Sequence, residues 1–180
     1  TQQDPESSSG RSPWVLLFVG KISLQGRRKI GIKIQGDENM RNNPHILEIN
    51  AHSWLKRHAK RAGHPVTLAD IPADVWDKIQ LNGFDAVWLM GVWKKSPAAE
   101  KIARQNSEIA AQIHAIKSDF DPQDVTASPY AVYEYTVDEA LGGNEALAAF
   151  RKNLNDRGIL LLLDFVGNHT AIDAPVVEEH

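Results

Sequence analysis

An α/β fold built on a parallel sheet is predicted by three features of the sequence. The first is Gly158–Thr170, G-I-L-L-L-L-D-F-V-G-N-H-T. Its opening glycine can end a preceding helix at no steric cost, and the apolar run behind it is too short to cross a membrane. Such a run after a helix stop fits a strand covered on both faces, as in a parallel sheet. The second feature is recurrence: a helical pattern, a glycine and an apolar run come together again over Val75–Val92, with Asn82-Gly83 at the junction. That order is the rhythm of right-handed βαβ units. The third is the turn Gly167-Asn168-His169-Thr170, which puts polar side chains at the strand's carboxyl end. Chemistry sits there in α/β folds, because those loops vary over a rigid sheet.

The chain has 180 residues, enough for one domain with a real core. A complete eight-stranded α/β barrel typically takes about 250. A net charge of −3 leaves no nucleic-acid footprint. The absence of cysteine excludes disulfides and thiolate chemistry and suits a cytoplasmic location. Trp14–Val19 is apolar, but it is too short for a membrane span and lacks a convincing cleavage site behind it. The expectation is a cytoplasmic protein with neither membrane nor nucleic-acid partners.

Residues 1–44 read as an N-terminal extension and 45–180 as the main unit. Residues 1–13 are polar and Ser-rich with two prolines, the composition of a disordered tail. Trp14–Val19 and Lys29–Gln35 fit a small hairpin around Gly26-Arg27-Arg28, since Ile30, Ile32 and Ile34 alternate with Gly and Lys. A second reading starts the native protein at Met40. His45–Asn50 reads as a strand, and Ser53–Ala62 as a basic helix closed by Gly63. His52 and His58 read as solvated groups of that helix, and their spacing puts them on opposite sides, which excludes a metal pair. Thr67-Leu-Ala-Asp70 has the form of a capping box. Val75, Trp76, Ile79 and Leu81 supply the apolar face of the helix behind it, and Phe84–Val92 is the second strand.

Pro97 opens a single predicted helix to about Lys117, with Ile102, Ile109, Ile113 and Ile116 as its stripe. After a polar connector come Tyr130, Tyr133 and Tyr135, which either pack as amphipathic side chains or line a sugar site. Glu145–Asp156 is a helix with Leu147, Phe150 and Leu154 inward, and it delivers the chain to a third strand at about 159–166. Asp164 lies near the end of that strand, where a carboxylate is costly to bury unpartnered.

Four segments occur in order along 45–180: H-I-L-E-I-N-A-H-S-W-L, G-F-D-A-V-W-L-M-G-V-W-K-K-S-P-A, S-P-Y-A-V-Y-E-Y-T-V-D-E-A-L-G-G and R-G-I-L-L-L-L-D-F-V-G-N-H-T. Together they resemble the front of the catalytic barrel in the α-amylase family of glycoside hydrolases. The resemblance implies a truncated TIM (β/α)8 barrel, with parallel strands at about 45–50, 84–92 and 159–166. It implies that Asp164 organises the site by pairing with an arginine on the next strand. His169 looks like the histidine that hydrogen-bonds the sugar next to the cleaved bond, and Tyr130 like the tyrosine that stacks on that sugar. Asn168 is similar to the residue that in many members helps bind a structural calcium ion, and no other cofactor is implied.

The chemistry implied is retaining cleavage or transfer of α-glucosidic bonds in an α-glucan or α-glucoside. One carboxylate attacks and a second protonates the leaving oxygen, the two about 5–5.5 Å apart. In this family the three acidic catalytic residues follow the fourth, fifth and seventh strands, so the 180 residues read as the front part of an enzyme, inactive by itself. With three strands alone, Asp164 is expected to face water or an unpaired burial. Two rivals stand beside this reading. In a different barrel hydrolase Asp164 and His169 would ligate a metal, but a catalytic zinc takes three protein ligands, and no third His or Cys lies nearby in sequence. The other rival is a non-catalytic carbohydrate-binding module that keeps the Tyr130 and His169 contacts.

Overall fold

The computed structural model describes residues 15–18, 41–116, 121 and 125–178. Four parallel strands form the main sheet: β1 (Val15–Phe18), β2 (Ile46–Asn50), β3 (Ala86–Met90) and β6 (Leu160–Phe165), in the order β1-β6-β3-β2. A two-stranded antiparallel sheet, β4 (Trp93–Lys95) with β5 (Val132–Val137), stands beyond the end of β3. The helices are α1 (Ala51–Ala62), α2 (Ala73–Leu81), α3 (Pro97–Gln105), α4 (Ser107–Ile116), α5 (Gly143–Asn155) and the short α6 (Pro175–Glu178), with a 3-10 turn at Glu139–Leu141. The three predicted strands are present, β2 shortened by one residue at its start and β3 and β6 shortened at both ends.

Alternation along the strands decides what faces the helices. Ile49, Val87, Leu89, Leu161 and Leu163 join one core with Leu55 of α1, Trp76 and Ile79 of α2, and Leu147, Phe150 and Leu154 of α5. Phe150 and Leu154 are fully buried. Phe150 meets Trp76 edge-on at 5.0 Å and Trp54 at 6.0 Å, contacts that add about 0.5–1.5 kcal/mol each to simple burial. Residues two apart on a strand share a face, so Trp88, Leu162 and Asp164 lie on the side of the sheet away from this core. Leu162 and Asp164 are both at 0% exposure, so β6 is covered on both faces.

The helix boundaries follow side-chain capping. Asn50 ends β2 and accepts from the Ser53 N–H at 3.0 Å, so α1 begins two residues earlier than predicted. Thr67 and Asp70 make one half of a capping box: the Thr67 N–H and Oγ1 both donate to the Asp70 carboxylate at 2.9 and 2.7 Å, while the Asp70 N–H goes to the Thr67 carbonyl at 3.1 Å. That box closes a turn rather than a helix; α2 starts after Pro72.

Several expectations need correction. The predicted helix 97–117 is two helices, because Asn106 adopts an extended ψ of 109°. Its Oδ1 takes the N–H groups of Glu108 and Ile109, which makes it the cap of α4. The isoleucine stripe is no core: α3 and α4 bury no residue fully, and Ile102 and Ile116 are exposed. Leu81, placed on the inner face of α2, is 88% exposed. β1 pairs in parallel with β6, Val15 opposite Leu162 and Phe18 opposite Phe165. The other predicted hairpin strand, Lys29–Gln35, lies outside the described residues, as do the tail 1–13 and Met40. His52 is no solvated surface group, since its side chain is only 28% exposed. His58 packs edge-on against Trp54 at 4.8 Å.

Candidate functional site

The carboxyl ends of β3 and β6 meet around Asp164. Its two oxygens are taken by two N–H donors: Trp88 Nε1 gives to Oδ1 at 2.7 Å and the Gly91 N–H to Oδ2 at 2.6 Å. Trp93 Nε1 donates to the Asp164 carbonyl at 2.8 Å. The predicted choice between water and an unpaired burial is therefore wrong on both sides: Asp164 is buried, and it is partnered by neutral donors. Burial pushes its carboxyl above the ordinary aspartate range, and the Gly91 and Trp88 hydrogen bonds pull part of the way back. Among the described residues no cation pairs with it. Across the sheet, the residue opposite Asp164 on the neighbouring strand is Leu17.

Gly91 makes the arrangement possible. Its φ is +76°, and a Cβ there would lie 2.8 Å from Pro129 Cβ. Only glycine both bends the chain this way and lets the Pro129 turn approach. That turn carries Tyr130, whose carbonyl oxygen lies 3.2 Å from His169 Nε2. The structure thus brings together two residues that are distant in sequence and were singled out separately. Burial raises the Tyr130 phenol, and the carboxylates of Asp164 and Glu48 raise it further, so the hydroxyl sits within the field of both. Tyr130, His169 and Asp164 are thus linked through Gly91 and the Pro129 turn.

The β4–β5 sheet holds this end in place. The Tyr135 hydroxyl accepts from the Val166 N–H at 2.9 Å and donates to the Val166 carbonyl at 3.1 Å. The Tyr135 ring stacks on Phe165 at 5.6 Å and meets Trp93 edge-on at 5.3 Å. The loop after β6 is tied across by Asp173, which accepts from Ser96 Oγ and from the Ala98 N–H and so caps α3 together with Ser96. These hydrogen bonds, Ser96 first, hold the Asp173 carboxyl below the usual range. Beside His169 opens a cavity of 310 Å³ lined by Tyr133, Glu134, Tyr135, Thr170 and Val176. Aromatic faces with a carboxylate, a hydroxyl and an imidazole are groups that suit a polyhydroxylated ligand. Asn168 is exposed. Among the described residues no group of three or more His, Asp or Glu side chains comes together that could hold a metal ion, so Asn168 has no such set to join. Among them, too, no helix is long and apolar enough to cross a membrane.

Sequence reasoning placed Asp164, Tyr130 and His169 at this end and singled out Tyr135 in a tyrosine cluster, but missed Trp88 and Gly91. The positive-φ glycine after an apolar run was the available signal for Gly91. Nothing local marked the Tyr135 contact with Val166.

No family model matches the sequence, and no curated protein matches it either. Solved structures do match. An α-amylase from Lactobacillus plantarum is similar over 76% of this chain and 25% of its own, at 20% identity and a TM-score of 0.54. A debranching enzyme from Nostoc punctiforme is similar over 75% and 26%, at 17% identity and a TM-score of 0.46. A maltooligosyltrehalose synthase mutant from Arthrobacter ramosus is similar over 75% and 13%, at 19% identity and a TM-score of 0.43. The chain spans about a quarter of the length of the L. plantarum enzyme. By fold, this is a parallel α/β chain similar to part of the L. plantarum α-amylase.

Proposed function

We propose that the chain is the N-terminal part of an α-amylase-type glycoside hydrolase or transglycosylase. It acts on α-glucosidic bonds by a retaining mechanism, with the catalytic carboxylates outside these 180 residues. The observation that carries the reading is the junction of Tyr130 and His169 at 3.2 Å over the end of β6, next to a buried carboxylate. Tyr130 offers an aromatic face to a glucosyl ring and His169 a ring nitrogen to its hydroxyls. Asp164 has a positioning role here. Its oxygens are occupied and it has no exposed surface, so it is a poor nucleophile or proton donor toward a sugar, and a good anchor for the turn that carries Tyr130. Two carboxylates about 5–5.5 Å apart would complete a retaining site over this floor.

The test is calorimetric titration of the chain with maltooligosaccharide, alongside an assay of α-glucoside turnover. Binding without turnover is expected, with Tyr130→Ala and His169→Ala each weakening it about tenfold. Absence of binding, or turnover by this chain alone, would reject the proposal. Binding that survives both substitutions would move the sugar elsewhere.

A further inference from the structure

Opposite charges line one cavity between α1 and α2 without meeting. The cavity measures 340 Å³ and is lined by neither Tyr130 nor His169. His58 and Arg61 come from the second half of α1, and His64 from the loop behind it. Asp70 stands before α2 and Asp74 in its first turn, while Val66 and Val75 add an apolar side. We propose that this cavity binds a small zwitterion of the α-amino-acid class, its carboxylate on Arg61, its ammonium on Asp70 and Asp74, and an aliphatic side chain against Val66 and Val75.

Arg61 is the centre of the argument. Among the described residues its guanidinium forms no hydrogen bond and no ion pair, although two carboxylates line the same cavity. Those carboxylates are only partly engaged. Thr67 donates twice to Asp70 Oδ2, at 2.9 and 2.7 Å, and Lys78 Nζ donates to Asp74 Oδ2 at 2.8 Å. Among the described residues neither Oδ1 takes a side-chain donor. The Thr67 and Lys78 hydrogen bonds hold both carboxyls below the usual aspartate range, so each keeps its charge at neutral pH.

A ligand of one sign fits poorly here. An anion on Arg61 would lie in the field of Asp70 and Asp74, and a cation on the aspartates in the field of Arg61. A ligand carrying both signs satisfies each group with its opposite, and a guanidinium takes a carboxylate through two parallel hydrogen bonds. The imidazoles add hydrogen-bonding groups. His58 is set edge-on against Trp54, and burial, then Arg61 and Arg57, keep it below its ordinary value against the pull of Asp74. His64 Nδ1 lies 2.8 Å from the Pro65 carbonyl, to which only a donor can bond, so in the neutral ring Nε2 is an acceptor. The volume falls within the range of about 300–1,000 Å³ typical of small-molecule sites. The site needs nothing from the glycan reading and stands or falls without it.

The experiment is titration of the 180-residue chain at neutral pH with leucine, with leucine methyl ester, which lacks the carboxylate, and with N-acetylleucine, which lacks the ammonium. Binding is read by calorimetry and by the His58 and His64 ring resonances in NMR. Leucine is expected to bind and to move both sets of signals, and each derivative to bind about tenfold or more weakly, as loss of a charge-assisted contact does. Arg61→Gln should weaken leucine binding by a similar factor and erase its advantage over the methyl ester. Asp74→Asn should reduce its advantage over N-acetylleucine. Lys60→Gln, on the same helix but outside the cavity, should change neither. If Asp74→Asn fails to fold by circular dichroism, Arg61→Gln with the two derivatives carries the test. Unmoved His58 and His64 signals, a derivative that binds as tightly as leucine, or equal weakening by Lys60→Gln and Arg61→Gln overturns the proposal.

Discussion

The hydroxyl of Tyr135 closes both backbone groups of Val166, taking its N–H at 2.9 Å and giving to its carbonyl at 3.1 Å. One side chain from the β4–β5 sheet thus does for the end of β6 what a neighbouring strand would do. Val166 is buried, at 6% exposure, so water has little access to either group.

Tyr135→Phe should therefore leave a buried donor and acceptor short of a partner while keeping the ring against Phe165. The expected loss is about 1–3 kcal/mol of unfolding free energy, read by urea denaturation. Faster hydrogen exchange at the Val166 amide should accompany it. An unchanged midpoint with unchanged exchange would mean that the hydroxyl holds nothing.

Asp164 gives a prediction in pH. The fold keeps a proton on this carboxyl beyond the pH at which the unfolded chain releases it, near the ordinary value of 3.8. Stability from this group is therefore fully present below that value and is lost as the pH rises through the folded-state value. Across that window the wild type should lose stability relative to Asp164→Asn, which has no such proton to release. Trp88→Phe removes a donor that favours the charged form, so it should push the carboxyl higher and widen the window upward. Carbon-detected NMR titration of Asp164 in both proteins measures this, and a downward shift in Trp88→Phe would contradict it.

Two glycines with matching backbones isolate the cost of crowding at the site. Gly63 has φ +75° and open space around a would-be Cβ, whereas Gly91 has φ +76° and Pro129 Cβ at 2.8 Å. Gly63→Ala should cost only the left-handed backbone penalty, about 1–2 kcal/mol. Gly91→Ala should cost distinctly more, and should also weaken oligosaccharide binding by shifting the turn that carries Tyr130. Equal losses in the two variants would show that Pro129 gives way freely.

What the sequence made legible follows from how local each signal is. The strands β2, β3 and β6 are apolar runs bounded by glycines or by a polar stop, and such runs declare themselves. Asp164 and His169 stood out because they lie in one short string at the end of a strand. The division of the 97–117 helix did not, because Asn106 looks like an ordinary helix residue until its side chain is seen capping Glu108 and Ile109. The run Val132–Val137 was read as a tyrosine cluster. Its strand character depends on pairing with β4, only three residues long, with register irregularities between them. The partners of Asp164 were hidden for a similar reason: Trp88 and Gly91 lie more than seventy residues away and meet it only once β3 and β6 are side by side.

The pairing of β1 with β6 also sets an order of events. Val15 lies opposite Leu162, so the first of the described strands in chain order meets β6 only after β2, β3 and their helices have been made. Contacts that close so long a loop come late and slow the search for the native state. During synthesis the segment holding Val15–Phe18 therefore leaves the ribosome long before its docking edge exists. Until β6 arrives it is an apolar strand whose partner among the described residues is missing, a natural target for a chaperone and the point where misassembly would begin.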